Sequence, residues 1–465
     1  MIERPLIHFT PARNWMNDPN GLVFHEGRYH LFFQYNPHGP VHANMSWGHA
    51  TSRDLVRWQE HPVAIPADEN EQIFSGSVVV DNEGTSGFAA EGETALVAVY
   101  TSVDAQTSIQ SQALAYSVDD GMTWTKYAGN PVLDRGSLAF RDPKVFRYEG
   151  PAGAYWVMVA VEAGDRQVML YRSDDLRSWS FLSAYGPAGA VGGEWECPDL
   201  FPLSLDGDPD DVRWVMVISL NPGGIAGGSG TQYVVGDFDG VTFTPERPVS
   251  DTLTDVDWVD FGSDCYAGVT FNGLPQEERT FIAWMGNWDY ARLTPAETSP
   301  WRGAMTLARR LSLATVDGRP QLCADPILRE GAAVDPAAEL PPVARIRAGV
   351  RLGGAPGAAL HLEVAGADGQ ATVRCDAESI SVHRSGAGSF VRPGGSVESA
   401  PLAGDAEAID LTIVVDTGSI EVFDGSGTRS ITDLVAFGDG RRLTVRAAGG
   451  AVAERLEVVD LWSQS

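Results

Sequence analysis

The phrase Ser52-Arg53-Asp54-Leu55-Val56-Arg57-Trp58 decides the fold, because the chain repeats it. It returns as Ser117-Val118-Asp119-Asp120-Gly121-Met122-Thr123-Trp124 and as Ser173-Asp174-Asp175-Leu176-Arg177-Ser178-Trp179. A weaker echo is Asp237-Phe238-Asp239-Gly240-Val241-Thr242-Phe243. The closing aromatics lie 66, 55 and 64 residues apart, and a fainter fifth close stands at Leu313-Ala314-Thr315-Val316-Asp317-Gly318. Residues 22–35 read as two strands across a Glu26-Gly27 turn. Pairs of β-rich runs follow at 95–100 and 112–116, 154–161 and 167–171, and 212–219 and 231–236. A unit of about 60 residues with about four strands exceeds a solenoid repeat and suits a propeller blade. A large irregular β-sandwich with recurrent Asp-turn-Trp hairpins is the competing architecture.

Composition agrees with an all-β chain. Gly 51, Pro 28 and Trp 13 are high in 465 residues, and the apolar runs are short and rich in Val, Phe, Tyr and Trp. Five blades fill residues 1–325 as a five-bladed β-propeller catalytic domain. Residues 326–343 form a linker, where 329–343 (REGAAVDPAAELPPV) shift to Ala, Pro and Glu, with room for one short helical turn. Residues 344–465 form a C-terminal β-sandwich, with strands expected at 345–352, 358–364, 370–375, 379–383, 409–415, 419–423, 442–446 and 453–461.

A formal charge of -29 argues against nucleic acid, an anionic membrane or a polyanionic substrate. A neutral substrate fits, and the acidity also keeps the chain soluble. Cys197, Cys265, Cys323 and Cys375 are far apart and lack zinc-ligand spacing, so neither a metal site nor a disulfide framework is expected. The start, Met-Ile-Glu-Arg-Pro-Leu-Ile-His, lacks a signal-like pattern, and the expected location is cytoplasmic.

The acids follow the repeat. Asp18, in Asn14-Trp15-Met16-Asn17-Asp18-Pro19-Asn20-Gly21, lies 40 residues before Trp58. Asp142, in Phe140-Arg141-Asp142-Pro143, lies 37 before Trp179, and Glu196, in Trp195-Glu196-Cys197-Pro198-Asp199, lies 47 before Phe243. The second unit holds Phe74-Ser75-Gly76-Ser77 at the like position. Singly, Asp-Pro-Asn-Gly reads as a turn and Asp142 as an ion-pair partner of Arg141. Jointly, three acids at the mouths of inner strands would converge in one channel. Two carboxyls in different environments, walled by aromatic rings, are what glycosidic cleavage needs.

These motifs resemble glycoside hydrolase family 32, which holds invertases, exo-inulinases, levanases and related fructosyltransferases. Gln34-Tyr35-Asn36-Pro37, Ser46-Trp47-Gly48-His49, Trp284-Met285-Gly286-Asn287-Trp288, Ser299-Pro300-Trp301-Arg302-Gly303 and Gly418-Ser419-Ile420-Glu421-Val422-Phe423 add to the resemblance. It implies a five-bladed propeller followed by a β-sandwich, and a retaining exo-β-fructosidase acting on fructans, fructo-oligosaccharides or sucrose without cofactor or metal. It also implies roles: Asp18 as nucleophile, Glu196 as acid/base and Asp142 as transition-state stabiliser. Asn17, Gln34, His42, Trp47, Phe74, Ser75, Arg141, Cys197 and Trp288 would form the substrate-binding set. Retention would place the Asp18 and Glu196 carboxyls about 5 Å apart. Asp264, in Asp264-Cys265-Tyr266-Ala267, would reach the pocket rim.

The chain departs from the family pattern at His42, where a Trp usually walls the fructose pocket. Either the loop tolerates the change, or His42 alters the leaving-group side. Ala308-Arg309-Arg310 also stands where a Pro-Arg-Glu run is common. A fructosyltransferase differs only in what captures the ester, and a non-catalytic fructan-binding propeller is the rival from another class.

Overall fold

The computed structural model describes residues 3–151, 153–293, 300–353, 355–386, 396–402 and 407–463; Ser299 of the motif run lies outside them. Among the described residues the strands form seven sheets, five in the first part of the chain and two in the second. Blade 1 comprises Asn14–His25, Arg28–Asn36, Ser46–Ser52 and Trp58–Ile65. Blade 2 comprises Glu71–Asp81, Ala95–Asp104, Gln110–Ser117 and Thr125–Lys126. Blade 3 comprises Phe140–Gly150, Gly153–Glu162, Gln167–Ser173 and Ser180–Tyr185. Blade 4 comprises Glu194–Ser204, Val212–Asn221, Gly230–Phe238 and Phe243–Pro245. Blade 5 comprises Tyr266–Thr270, Thr280–Met285, Arg309–Val316 and Arg319–Pro326.

The repeated phrase joins the third strand of a blade to the fourth, and its chemistry is local. Ser52 Oγ accepts from the Asp54 and Leu55 N–H groups, and Asp54 Oδ1 accepts from those of Val56 and Arg57. Leu55 takes φ 64°, and the Trp58 indole N–H donates back to its carbonyl at 3.2 Å. Ser173, Asp175, Leu176 and Trp179 repeat this hairpin closely, and Ser117, Asp119, Gly121 and Trp124 use the same capping logic. Each closure is satisfied within seven residues, which is why it recurs as sequence.

The first strand of each blade lies innermost. Successive inner strands pack on one another, and Tyr266–Thr270 packs back on Asn14–His25. The fifth blade is also tied to the first by Trp301–Arg302, which pairs in parallel with Asn14 and Trp15, and by a bridge from Val23 to Asn272. The core fills the spaces between blades. Phe32, Trp47, Ile73, Val78 and Tyr100 pack between blades 1 and 2, and Trp15, Phe33, Tyr266, Phe271 and Trp284 between blades 1 and 5.

In the second part, a six-stranded sheet holds Ala344–Arg351, Ala408–Asp416, Ser419–Asp424, Ser430–Leu434 and Val452–Asp460, edged by Ala332–Val334. A five-stranded sheet holds Ala359–Ala365, Gly369–Asp376, Ser379–Gly386, Ser396–Pro401 and Arg442–Ala448. Thus the segment read as linker contributes an edge strand, and Ser396–Pro401 and Ser430–Leu434 add to the eight strands expected. Ser430–Leu434 reads as polar because its buried side chains meet polar groups of the propeller: Thr432 meets the Arg309 guanidinium and Asp433 the Ser263 N–H. Arg309, inside the departing Ala-Arg-Arg run, is fully buried there between Asp260 and Glu421, both at 2.9 Å.

Candidate active site

Every inner strand loses register with its neighbour at one level. The shifts fall between Met16 and Pro19, Ile73 and Gly76, Arg141 and Lys144, Glu196 and Asp199, and Tyr266 and Val269. The residues skipped are Asn17-Asp18, Phe74-Ser75, Asp142-Pro143, Cys197-Pro198 and Ala267-Gly268. These are β-bulges, which release side chains from the ladder and re-aim them. Asp142, Cys197 and Ala267 adopt φ 63°, 47° and 55°, a conformation that costs a non-glycine residue and is held by the surrounding sheet. Pro19, Pro143 and Pro198 stand at these breaks, where a missing N–H costs no ladder bond. The turn expected at 18–21 is therefore corrected: these residues belong to the continuous strand Asn14–His25, interrupted by bulges.

The bulges bring three carboxylates to one end of the channel. Asp18 Oδ2 accepts from Ser75 Oγ at 2.8 Å, and Oδ1 from Asn17 Nδ2 at 3.0 Å. The Trp15 indole N–H in turn donates to Asn17 Oδ1 at 2.7 Å, fixing the amide orientation. Asp142 Oδ2 accepts the Cys197 N–H at 2.9 Å, and the Asp142 N–H donates to Thr101 Oγ1. The Cys197 thiol stands between Asp18 and Asp142, 3.6 Å from an oxygen of each. Arg141 donates to Glu196 Oε1 through Nε and Nη2, at 3.2 and 3.0 Å, and to Glu194 at 2.6 Å. The Tyr266 hydroxyl donates to Glu196 Oε2.

Burial and crowding set the proton affinities. Burial, then the charge of Glu196, pushes Asp18 up to about 6 against the hydrogen bonds from Ser75, Asn17 and Cys197. Burial likewise pushes Asp142 up to about 7, with Glu196 and Asp18 adding to the rise and Arg141 opposing it. Burial works to lower the Arg141 guanidinium, but the charges of Glu196, Asp142 and Glu194 hold it above its ordinary value. One cation thus faces three carboxylates, and the group retains a shared proton near neutrality.

Aromatic rings wall the site. Trp288 stacks on Trp15 with centroids 5.9 Å apart, and His42 meets Trp288 edge-on at 5.2 Å. Phe74 lies 6.4 Å from His42. Burial, then the charge of Arg292, lowers the His42 imidazole, so it is neutral at pH 7.

Most of the anticipated residues meet here, but Trp47 and Asp264 take other positions. Trp47 is fully buried in the blade 1–2 core, where its indole N–H holds the Phe74 carbonyl at 2.9 Å; it supports the wall rather than forming it. Gln34 is buried and its amide donates to the Ile73 carbonyl at 3.1 Å, next to Phe74 and Ser75. Asp264 does not reach the rim: it is wholly buried against Tyr290 and Arg384 of the β-sandwich. Conversely, sequence reasoning missed Tyr266, Trp15, Thr101 and Glu194 as partners of the acids. Tyr266 stood two residues from the flagged Asp264, and Trp15 inside the Asp18 motif. Thr101 and Glu194 carried no signal, because their partners are distant in sequence.

The glycosyl hydrolases family 32 N-terminal domain matches residues 8–326, and the family 32 C-terminal domain matches residues 359–463. A levanase of Bacillus subtilis is 41% identical over 477 residues, covering 97% of this chain and 69% of the levanase. An extracellular exo-inulinase of Aspergillus niger is 46% identical over 349 residues, which are 69% of this chain and 64% of that protein. The crystal structure of an exo-inulinase from Aspergillus awamori superposes with a TM-score of 0.89 at 36% identity, covering 99% of this chain and 98% of that one.

Proposed function

The chain belongs to glycosyl hydrolase family 32, and we propose that it is a retaining exo-β-fructosidase that removes terminal β-D-fructofuranosyl residues from fructans, fructo-oligosaccharides or sucrose. The observation that carries the reading is the convergence of Asp18, Asp142 and Glu196 at three inner-strand bulges, joined through Cys197 and Arg141 beside the Trp15–Trp288 wall. The levanase and exo-inulinase relatives support the fructan class.

The chemistry follows from the environments. Asp18 is held by donors on both oxygens, so its ionised form is oriented for attack on the anomeric carbon. The Glu196 side chain is 24% exposed against 6% for Asp142, so a leaving group can arrive there. In the free protein Asp18 and Asp142, both raised by burial and crowding, compete for a shared proton. Fructose hydroxyls that donate to Asp142 favour its ionised form and free that proton for the leaving-group side. Glu196 then protonates the leaving oxygen as Asp18 forms the fructosyl ester. Water, deprotonated by Glu196, opens that ester with net retention.

Release of fructose from sucrose, inulin and levan tests the reading against Asp18→Asn and Glu196→Gln. Each substitution is expected to lower kcat by about 10²–10⁴-fold, and proton NMR is expected to show the β-anomer appearing first. Equal activity in all three proteins would defeat the proposal.

A further inference from the structure

We propose that Arg384, a β-sandwich side chain, is a positioning residue for the hydrolytic site: it holds Glu196 through Asp264 and Tyr266, and the Trp288 wall through Asp264 and Tyr290. The inference rests on reading Glu196 as the acid/base. Arg384 is 1% exposed and faces three buried carboxylates, Asp264 at 3.3 Å, Glu398 at 2.7 Å and Asp433 at 3.4 Å. It also donates to Ser263 Oγ and to the Leu434 carbonyl. Burial pushes the Asp264 and Asp433 carboxyls up, and Arg384 is the main charge that opposes the rise.

Around this centre, propeller residues 261–264 lie along the sandwich strand Ser430–Leu434. The Phe261 and Asp264 N–H groups donate to the Ser430 and Thr432 carbonyls at 2.8 and 3.0 Å, and the Leu434 N–H donates to Asp264 Oδ2. Gly262 is required by the approach, since a Cβ there would sit 2.2 Å from the Thr432 oxygen. Two residues beyond Asp264 comes Tyr266, whose hydroxyl meets Glu196.

A second branch reaches the aromatic wall. Tyr290 donates its hydroxyl to Asp264 Oδ1 at 2.6 Å, and Asn287 donates to the Ser263 carbonyl at 2.8 Å. Between them lies Trp288, whose N–H is held by Ser229 Oγ at 3.1 Å. Both walls of the site are therefore anchored on the one sandwich guanidinium. Without its fork, Asp264, Glu398, Ser263 and the Leu434 carbonyl cannot all keep their donor, and the segment carrying Tyr266 shifts.

The readout is the pH profile of kcat/KM on sucrose. The groups facing Glu196 are Arg141 with Glu194, Asp142 and Cys197 from blades 3 and 4, Asp18 and His42 from blade 1, and Tyr266 from blade 5. Tyr266→Phe removes a donor to one member of the coupled carboxylate group, so the alkaline limb, set by the proton that group shares, is expected to move up by about half a pH unit and kcat/KM to fall by about fivefold. Arg384→Lys, which keeps the charge and loses the fork, is expected to move the limb the same way and to raise KM as the Trp288 loop loosens. The double variant is expected to move it no further than Tyr266→Phe alone. Should Arg384→Lys fail to fold, Asp264→Asn makes the same comparison. A wild-type profile in a folded Arg384 or Asp264 variant, or additive shifts in the double variant, would overturn the proposal. Glu196→Gln run alongside separates the two readings, because an active Glu196→Gln would undo the site assignment itself.

Discussion

Replacing the nucleophile should stabilise the protein, and the amount should depend on pH in a way the structure dictates. Asp18 is half-buried beside Glu196 and Asp142, and desolvation and crowding raise its carboxyl from 3.8 to about 6 on folding. A carboxyl whose folded pKa is raised lends stability below its unfolded pKa and loses it as pH climbs through the folded value. Two units correspond to about 3 kcal/mol, all of it lost by pH 7.5. Asn has no proton to lose, and its missing charge also relieves Asp142. It keeps one acceptor for Ser75 and forfeits the bond from Asn17, costing about 1 kcal/mol. Asp18→Asn is therefore expected to be about 1 kcal/mol less stable than wild type at pH 3.5 and about 2 kcal/mol more stable at pH 7.5. An unfolding entropy of about 2.1 cal/mol/K per residue converts that swing to about 3 °C for a chain of this length. Calorimetry of both proteins between pH 3.5 and 7.5, each checked for fructose release, reads it directly. A gap that does not change with pH, or a variant less stable at pH 7.5, would refute the burial-and-crowding argument.

Further consequences concern the same site. The pH profile of kcat/KM for the free protein should be bell-shaped, falling on the acid side as Asp18 protonates near 6 and on the alkaline side as the shared proton, held by Asp142 up to about 7, is lost; a profile flat from pH 5 to 8 would contradict it. Trp47→Phe should destabilise the protein by about 1–2 kcal/mol, by freeing the Phe74 carbonyl and leaving a gap between blades 1 and 2, while KM changes little; denaturant unfolding beside initial rates checks both. His42→Trp should change the ratio of kcat/KM on sucrose, inulin and levan, since the neutral imidazole sits between Trp15, Phe74 and Trp288. An unchanged ratio would make the loop merely tolerant.

The chain alone determined what is local or periodic. The Ser-x-Asp closures are read from sequence because their hydrogen bonds span a few residues, and their spacing sets the blade repeat. That repeat placed Asp18, Asp142 and Glu196 at like positions before any fold was seen. Only the tertiary structure decided how those acids are aimed. Asp-Pro-Asn-Gly by itself favours a turn at Asp18, whereas pairing with Arg28–Asn36 turns the same residues into a bulged strand. A bulge is a mismatch between two strands, so neither strand's sequence shows it. Trp47 likewise shares a motif-rich region with the site but is buried in the core between blades 1 and 2, a choice made by packing against blade 2. The buried charges carried least sequence signal of all. Arg309, Arg384, Asp264 and Asp433 resemble ordinary surface residues one at a time. They can be buried because partners distant in sequence neutralise them, Asp260 and Glu421 for Arg309 and Asp264 and Asp433 for Arg384, with Glu421 and Asp264 reaching across from the other half of the chain.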